Sequence, residues 1–231
     1  MKFESMNASL NEYVTGFEDL LKLQTDPLVA QGASAYMRNQ FDFIGVKAPA
    51  RRESLRHYLK MQGLPAHEHL FEFVELCWKR PYREIQYFGM EVVEKVMKKP
   101  LLSDVEALEY MIINRSWWDT VDFIATHLAS RYFMHFQVEI RPRTRVWMDS
   151  GNIWLQRSAL LFQLSWKERT DVDLLFHYME ELSQEKEFFI EKAIGWALRQ
   201  LSRTYPKQVR QFVESHALRP LSRREALRLL T

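Results

Sequence analysis

Glycine and cysteine are scarce in this chain, and long apolar runs are missing. Seven glycines in 231 residues are about 3%, under half the usual share of roughly 7%. So few leave little material for hairpin turns or phosphate-cradling loops, which argues against a β-rich fold and against P-loop or Rossmann sites. Cys77 is the one cysteine. It excludes an intramolecular disulfide framework and any zinc site of several thiolates, and it suits a reducing cytoplasm. The first 25 residues hold no apolar signal core, and no apolar run approaches the ~20 residues of a membrane span. A soluble cytoplasmic α-protein is expected, with no membrane partner.

Charge of one sign is also lacking. There are 32 Lys+Arg against 30 Asp+Glu, a net of +2, too mild to predict a polyanion partner by itself. The distribution is uneven: residues 1–130 carry 15 and 18, residues 131–231 carry 17 and 12. The basic half holds Arg141, Arg143 and Arg145 and the later run Arg219, Arg223, Arg224 and Arg228. A one-sided basic face is compatible with nucleic acid. Solvated helix faces explain it equally well.

Helix punctuation is frequent. Asp26-Pro27 reads as an N-cap and first helical position, and Pro49 opens a helix running toward Gly63. Ser103-x-x-Glu106 and Ser222-x-x-Glu225 have the form of capping boxes. Pro81, Pro100 and Pro206 separate segments with apolar residues at i, i+3, i+4 and i+7, such as Leu70, Phe73, Val74 and Cys77. About twelve helices joined by short loops, and no strand, are expected. No Pro/Gly/Ser-rich linker divides the chain, so a single domain over 1–231 is expected.

A period emerges from three segments, Ile85-Gln86-Tyr87-Phe88-Gly89, Leu155-Gln156-Arg157-Ser158-Ala159 and Ile190-Glu191-Lys192-Ala193-Ile194, which start 70 and then 35 residues apart. The missing register begins at Thr120. A repeat of this length, one helix pair each, is the mark of an α-solenoid of the HEAT or tetratricopeptide kind. Tyr87, Asp122, Arg157 and Lys192 are then equivalent positions on successive inner helices. Trp118 precedes Asp122 by four residues and Trp196 follows Lys192 by four, so each shares a helix face with its charged neighbour. A groove holding a carboxylate, two cations and two indoles fits a backbone-tracking nucleic-acid binder. Core tryptophans and a structural salt-bridge ladder fit the same spacing. His67-x-His69, the one close histidine pair, faces two ways on a helix, so no metal site is expected.

These same residues carry a resemblance. Ser116-Trp117-Trp118-Asp119-Thr120-Val121-Asp122, Asn152-Ile153-Trp154-Leu155-Gln156-Arg157 and Lys186-Glu187-Phe188-Phe189-Ile190 running on to Trp196 resemble the DNA alkylation repair glycosylases of the AlkD type. Tyr36 to Phe41, Gly45 to Arg52 and the closing Pro220 to Ala226 look like the same family, so the likeness covers nearly the whole chain. It implies an all-α fold, a right-handed α-solenoid superhelix of about six HEAT-like helical repeats. It also implies an enzyme that hydrolyses the N-glycosidic bond of cationic N-alkylated purines, such as 3-methyladenine and 7-methylguanine, in duplex DNA. The family does this without needing to flip the base into a pocket (the usual route). Matched by motif, Trp118, Asp122, Arg157 and Trp196 are the site.

The roles follow chemically. An alkylated purine already carries a positive charge and leaves neutral, so no general acid is required. Asp122 would stabilise the cation that develops on the sugar, Trp118 and Trp196 would face the sugar and lesion, and Arg157 would hold a phosphate. Lys192 is added here as a second phosphate contact by its register. Tyr36, Arg51, Arg52 and Arg199 complete the expected DNA-binding set. No cofactor is expected, and a monomer suffices to engage one duplex. The alternatives are a non-catalytic HEAT-like binder of damaged or branched DNA, and a solenoid scaffold for proteins.

Overall fold

The computed structural model describes residues 2–230, with side chains from Ser9 onward. Among the described residues the regular structure is fourteen α-helices, three short 3-10 turns and one π-helical segment. Among the described residues the sole extended pairing is an isolated bridge between Asp42 and Tyr82. The chain is all-α, as the shortage of glycine implied. No described helix is long and apolar enough to cross a membrane.

Two compact units divide the chain, Met1–Arg115 and Ser116–Thr231. No shift in composition marks the boundary after Arg115, which is why a single domain was the expectation from sequence. The first unit holds α1 (Lys2–Lys22), α2 (Pro27–Tyr36), α3 (Ala48–Gln62), α4 (Leu70–Trp78), α5 (Arg83–Val96) and α6 (Asp104–Ile113). The second holds α7 (Trp118–Phe123), α8 (Ser130–His135), α9 (Ile140–Asp149), α10 (Ile153–Leu161), α11 (Val172–Glu181), α12 (Phe188–Leu201), α13 (Pro206–Ser215) and α14 (Pro220–Leu227). A π-helical segment, Ile124–Ala129, joins α7 to α8 without a break.

The period is written into the helix starts. α5, α7, α10 and α12 begin at 83, 118, 153 and 188, each 35 residues after the last. Tyr87, Asp122, Arg157 and Lys192 are therefore each the fifth residue of their helix. The alternate helices α4, α6, α9, α11 and α13 begin at 70, 104, 140, 172 and 206. They supply the other helix of each pair, and this alternation is that of a helical-repeat solenoid.

Each unit has its own core. In the first, Phe17 stacks on Phe88 with centroids 4.2 Å apart, and Phe73 and Tyr58 meet Phe88 edge-on. Gly45 is required there: its φ is +96°, and a Cβ would lie 2.2 Å from the Asp26 carbonyl oxygen. The Glu84 carboxylate, buried beside it, accepts the backbone N–H groups of Ile44, Gly45 and Val46. In the second unit, Phe133 packs on Trp147 and Phe162, and Phe176 stacks on Phe212.

Asp26 caps α2 as read, accepting from Leu28 and Val29 N–H, and Gly63 closes α3. Both capping boxes are corrected. Ser103 makes no side-chain cap bond to α6. The carboxylate of Asp104 instead folds back on Leu101 N–H and pairs with His67 Nε2. Pro220 begins α14 two residues before Ser222, so that hydroxyl is interior and donates to the Glu191 carbonyl. A fixed-φ proline at the first helical position sets the start more firmly than the serine pattern does.

Candidate active site

A cleft of about 310 Å³ opens in the second unit, lined by Trp118, Asp122, Arg157, Phe188, Phe189, Lys192, Trp196, Arg199 and Glu225. Six of the residues expected from sequence meet in it: Trp118, Asp122, Arg157, Lys192, Trp196 and Arg199. Local sequence places them. Asn152 caps α10 by accepting Trp154 and Leu155 N–H, and Gln156 donates to the carbonyl of Met148 at the end of α9. α10 is thereby pinned at its first turn, and Arg157 projects toward α7 and α12. Trp117 precedes α7 in an extended conformation, and its ring packs on Trp154 and Phe189. Phe189 joins that aromatic cluster to the cleft wall.

The pair itself is bidentate. Arg157 Nε donates to Asp122 Oδ1 at 2.7 Å and Nη2 donates to Oδ2 at 2.9 Å. Nη1 donates to the carbonyl of Phe189, and the guanidinium lies 5.9 Å from that residue's ring. Arg157 is 4% exposed, whereas the Asp122 side chain is 19% exposed. Here the structure corrects the expectation. A buried guanidinium with three of its five donors engaged is built to hold Asp122, not to reach a phosphate. Arg157 takes one lone pair of each Asp122 oxygen, and the carboxylate, part-exposed, lines the cleft. The π turn begins at Ile124, two residues after Asp122, a departure from the α-helix often found at functional sites.

Lys192 and Arg199 both meet a carboxylate that the sequence had not offered as a site residue. Lys192 Nζ lies 3.4 Å from Glu225 Oε1, and Arg199 Nη1 donates to Oε2. Burial works against ionisation of Glu225, but Lys192, Arg199 and Arg228 outweigh it and hold its carboxyl below the usual range. The sequence register could not find this residue. One further step of 35 points to Leu227, because α14 starts at 220 and not at 223. Phe188 and Phe189 were quoted only within a motif; both line the cleft.

The remaining expected residues lie in the first unit. Tyr36 and Arg51 line a hollow of about 210 Å³ together with Lys47, Glu84 and Tyr87. Tyr36 is 70% exposed, which settles it at a surface and not in the core. Arg51 is buried, lies 4.9 Å from the Tyr87 ring and pairs with Glu91 at 3.1 Å. That burial removes it as a direct phosphate contact. Arg52 is 68% exposed at its side chain and lies 3.5 Å from Glu91. Among the described residues no group of three or more His, Cys, Asp or Glu side chains comes together as a metal site.

Comparison with known proteins adds the wider frame. The family model described as "DNA alkylation repair enzyme" matches residues 17–230. The chain is similar to a solved structure titled "Predicted DNA alkylation repair enzyme from Enterococcus faecalis", at 32% identity and a TM-score of 0.83. That alignment covers 90% of this chain and 97% of the other. No curated protein matches.

Proposed function

We propose a base-excising activity for this chain, which belongs to the DNA alkylation repair enzyme family. The reading is of a DNA glycosylase that hydrolyses the N-glycosidic bond of cationic N3- or N7-alkylated purines in duplex DNA. The observation that carries it is the Asp122 carboxylate, fixed by Arg157 and facing a cleft also lined by Trp118 and Trp196.

The bond between the sugar C1′ and the base nitrogen breaks with both electrons going to the nitrogen. That neutralises the alkylated base, which leaves without protonation. Positive charge then develops on the sugar, and water adds to C1′ and releases a proton. Asp122 supplies the negative charge that stabilises this cation, and its free lone pairs orient the water. At about 4 Å and an effective dielectric near 20, such a pair is worth on the order of 4 kcal/mol, roughly a thousandfold in rate. Trp118 and Trp196 present π faces to the sugar and to the cationic base, at roughly 0.5–2 kcal/mol each. Because this uses contacts to the sugar, it does not demand a pocket for an extruded base. Arg157 acts as the positioning residue for Asp122, while Lys192, Arg199, Arg52 and Tyr36 are the proposed DNA contacts. Both units act together as one monofunctional, monomeric enzyme in this reading.

The second reading is a binder of damaged or branched DNA without catalysis. The ion pair Asp122–Arg157 favours it over the enzyme, because a carboxylate neutralised by a buried guanidinium also serves a structural role without catalysis. Product analysis separates the two. Incubation with duplexes carrying 3-methyladenine or 7-methylguanine is expected to release free base and to leave a strand that breaks only on alkaline treatment. Tight binding without free base would leave the binder.

A further inference from the structure

Glu225 takes no part in the chemistry above, yet it faces the same cleft. α14 carries it there and is clamped to α12. Ser222 Oγ donates to the Glu191 carbonyl, and Arg219 Nε lies 3.3 Å from Glu191 Oε1. The contact is close enough to require Gly195, where a Cβ would stand 2.6 Å from Glu225 Cβ and 3.1 Å from the Ser222 carbonyl oxygen. The carboxylate is therefore a fixed part of the wall, with its side chain 14% exposed. Lys192 and Arg199 are seven residues apart, two turns along one face of α12, with Trp196 between them. Glu225 divides its oxygens between the two cations. One anion presenting separate oxygens to two flanking cations is also how a phosphodiester would sit there.

We propose that Glu225 sets the DNA affinity of the cleft as an internal stand-in for phosphate, which occupies Lys192 and Arg199 in the free protein and yields them to a DNA backbone phosphate on binding. The proposal rests on the DNA-binding reading above. A carboxylate kept in a polyanion cleft weakens binding to every duplex, since like charges placed together are costly. The penalty falls equally on damaged and undamaged DNA. It lowers affinity for every duplex by the same factor, and the preference for a cationic lesion is left to the Asp122 carboxylate and the indole faces.

The test uses the full chain, an undamaged duplex and a series of salt concentrations, comparing wild type with Glu225→Gln. Freeing two cations is expected to tighten binding by about tenfold or more at low salt. It should also steepen the slope of log K against log salt by about one, at roughly 0.9 for the one phosphate neutralised. A purely structural role for Glu225 does not move that slope. Glu225→Asp keeps the charge but draws it back by one methylene, so a smaller shift in the same direction is expected even if the Gln variant does not fold. Wild-type affinity and slope in the folded variants overturn the proposal while leaving the DNA reading intact. Failure of the wild type to bind duplex DNA at all removes both.

Discussion

Asp122 is held by a guanidinium that water scarcely reaches, and the consequences differ for the two partners. Removing Arg157 strips both hydrogen bonds from a carboxylate that is part-exposed and free to rehydrate. Removing Asp122 leaves a buried cation, which costs about 3–5 kcal/mol when nothing replaces the partner. Asparagine at 122 retains an oxygen for Arg157 and softens that loss. Arg157→Lys is the sharper probe of positioning, because an ammonium cannot give two parallel bonds to one carboxylate. We expect it to keep duplex binding and to slow single-turnover base release at least about tenfold, the equivalent of ~1.4 kcal/mol. Unchanged release would remove Arg157 from the account. Trp118→Ala and Trp196→Ala are each expected to slow release from cationic lesions by about two- to thirtyfold, from 0.5–2 kcal/mol. Phenylalanine at either position should recover part of the loss.

At the scale of elements, α14 is the piece whose placement decides the far wall of the cleft. Gly195→Ala forces it off α12, and overpacking of this kind costs about 1–3 kcal/mol, which a drop in the urea midpoint would register. An unchanged midpoint would mean that α14 relaxes freely. Acid acts on two carboxylates of the second unit, one on α11 and one on α14. Hydrogen bonding to Arg145 holds Glu181 below its usual range, and Lys192, Arg199 and Arg228 do so for Glu225 against the effect of burial. A carboxyl whose folded pKa is depressed adds stability above its unfolded value and loses it as pH falls through the folded one. Stability contributed by these two groups is therefore expected to be intact above pH 4.5, their unreduced value, and to fall below it. Urea midpoints of wild type and Glu181→Gln across that range check this, with the variant showing the smaller fall. Element starts marked by proline were legible in the sequence, at Pro27, Pro206 and the helix holding Pro49. The serine boxes misled because their pattern is met by chance wherever serine precedes glutamate, while Asp104 and Pro220 determine the local backbone.

Over the whole molecule, spacing said more than composition. A run of 35-residue steps put Tyr87, Asp122, Arg157 and Lys192 at one position of successive helices, and the helix starts reproduce it. That register brought Trp118, Asp122, Arg157, Lys192 and Trp196 to one cleft before any coordinate was known. It could not say which charges would pair. Ion pairing depends on which side chain is buried first, and Arg157 was read as a phosphate ligand because its depth is invisible along the chain. Arg51 misled for the same reason. Glu225 was missed because the shorter connection into α14 breaks the step of 35. The division after Arg115 has no signature either, since it is made by contacts and not by a linker.

The central claim is that Asp122 acts on the sugar cation of an alkylated nucleotide. Base release from duplex DNA containing 7-methylguanine, measured for wild type and Asp122→Asn at equal DNA occupancy, tests it most directly. The account predicts free base from the wild type and a loss of about a thousandfold in the variant, with binding retained. Equal rates from the two proteins, or binding by the wild type with no base released, would contradict it.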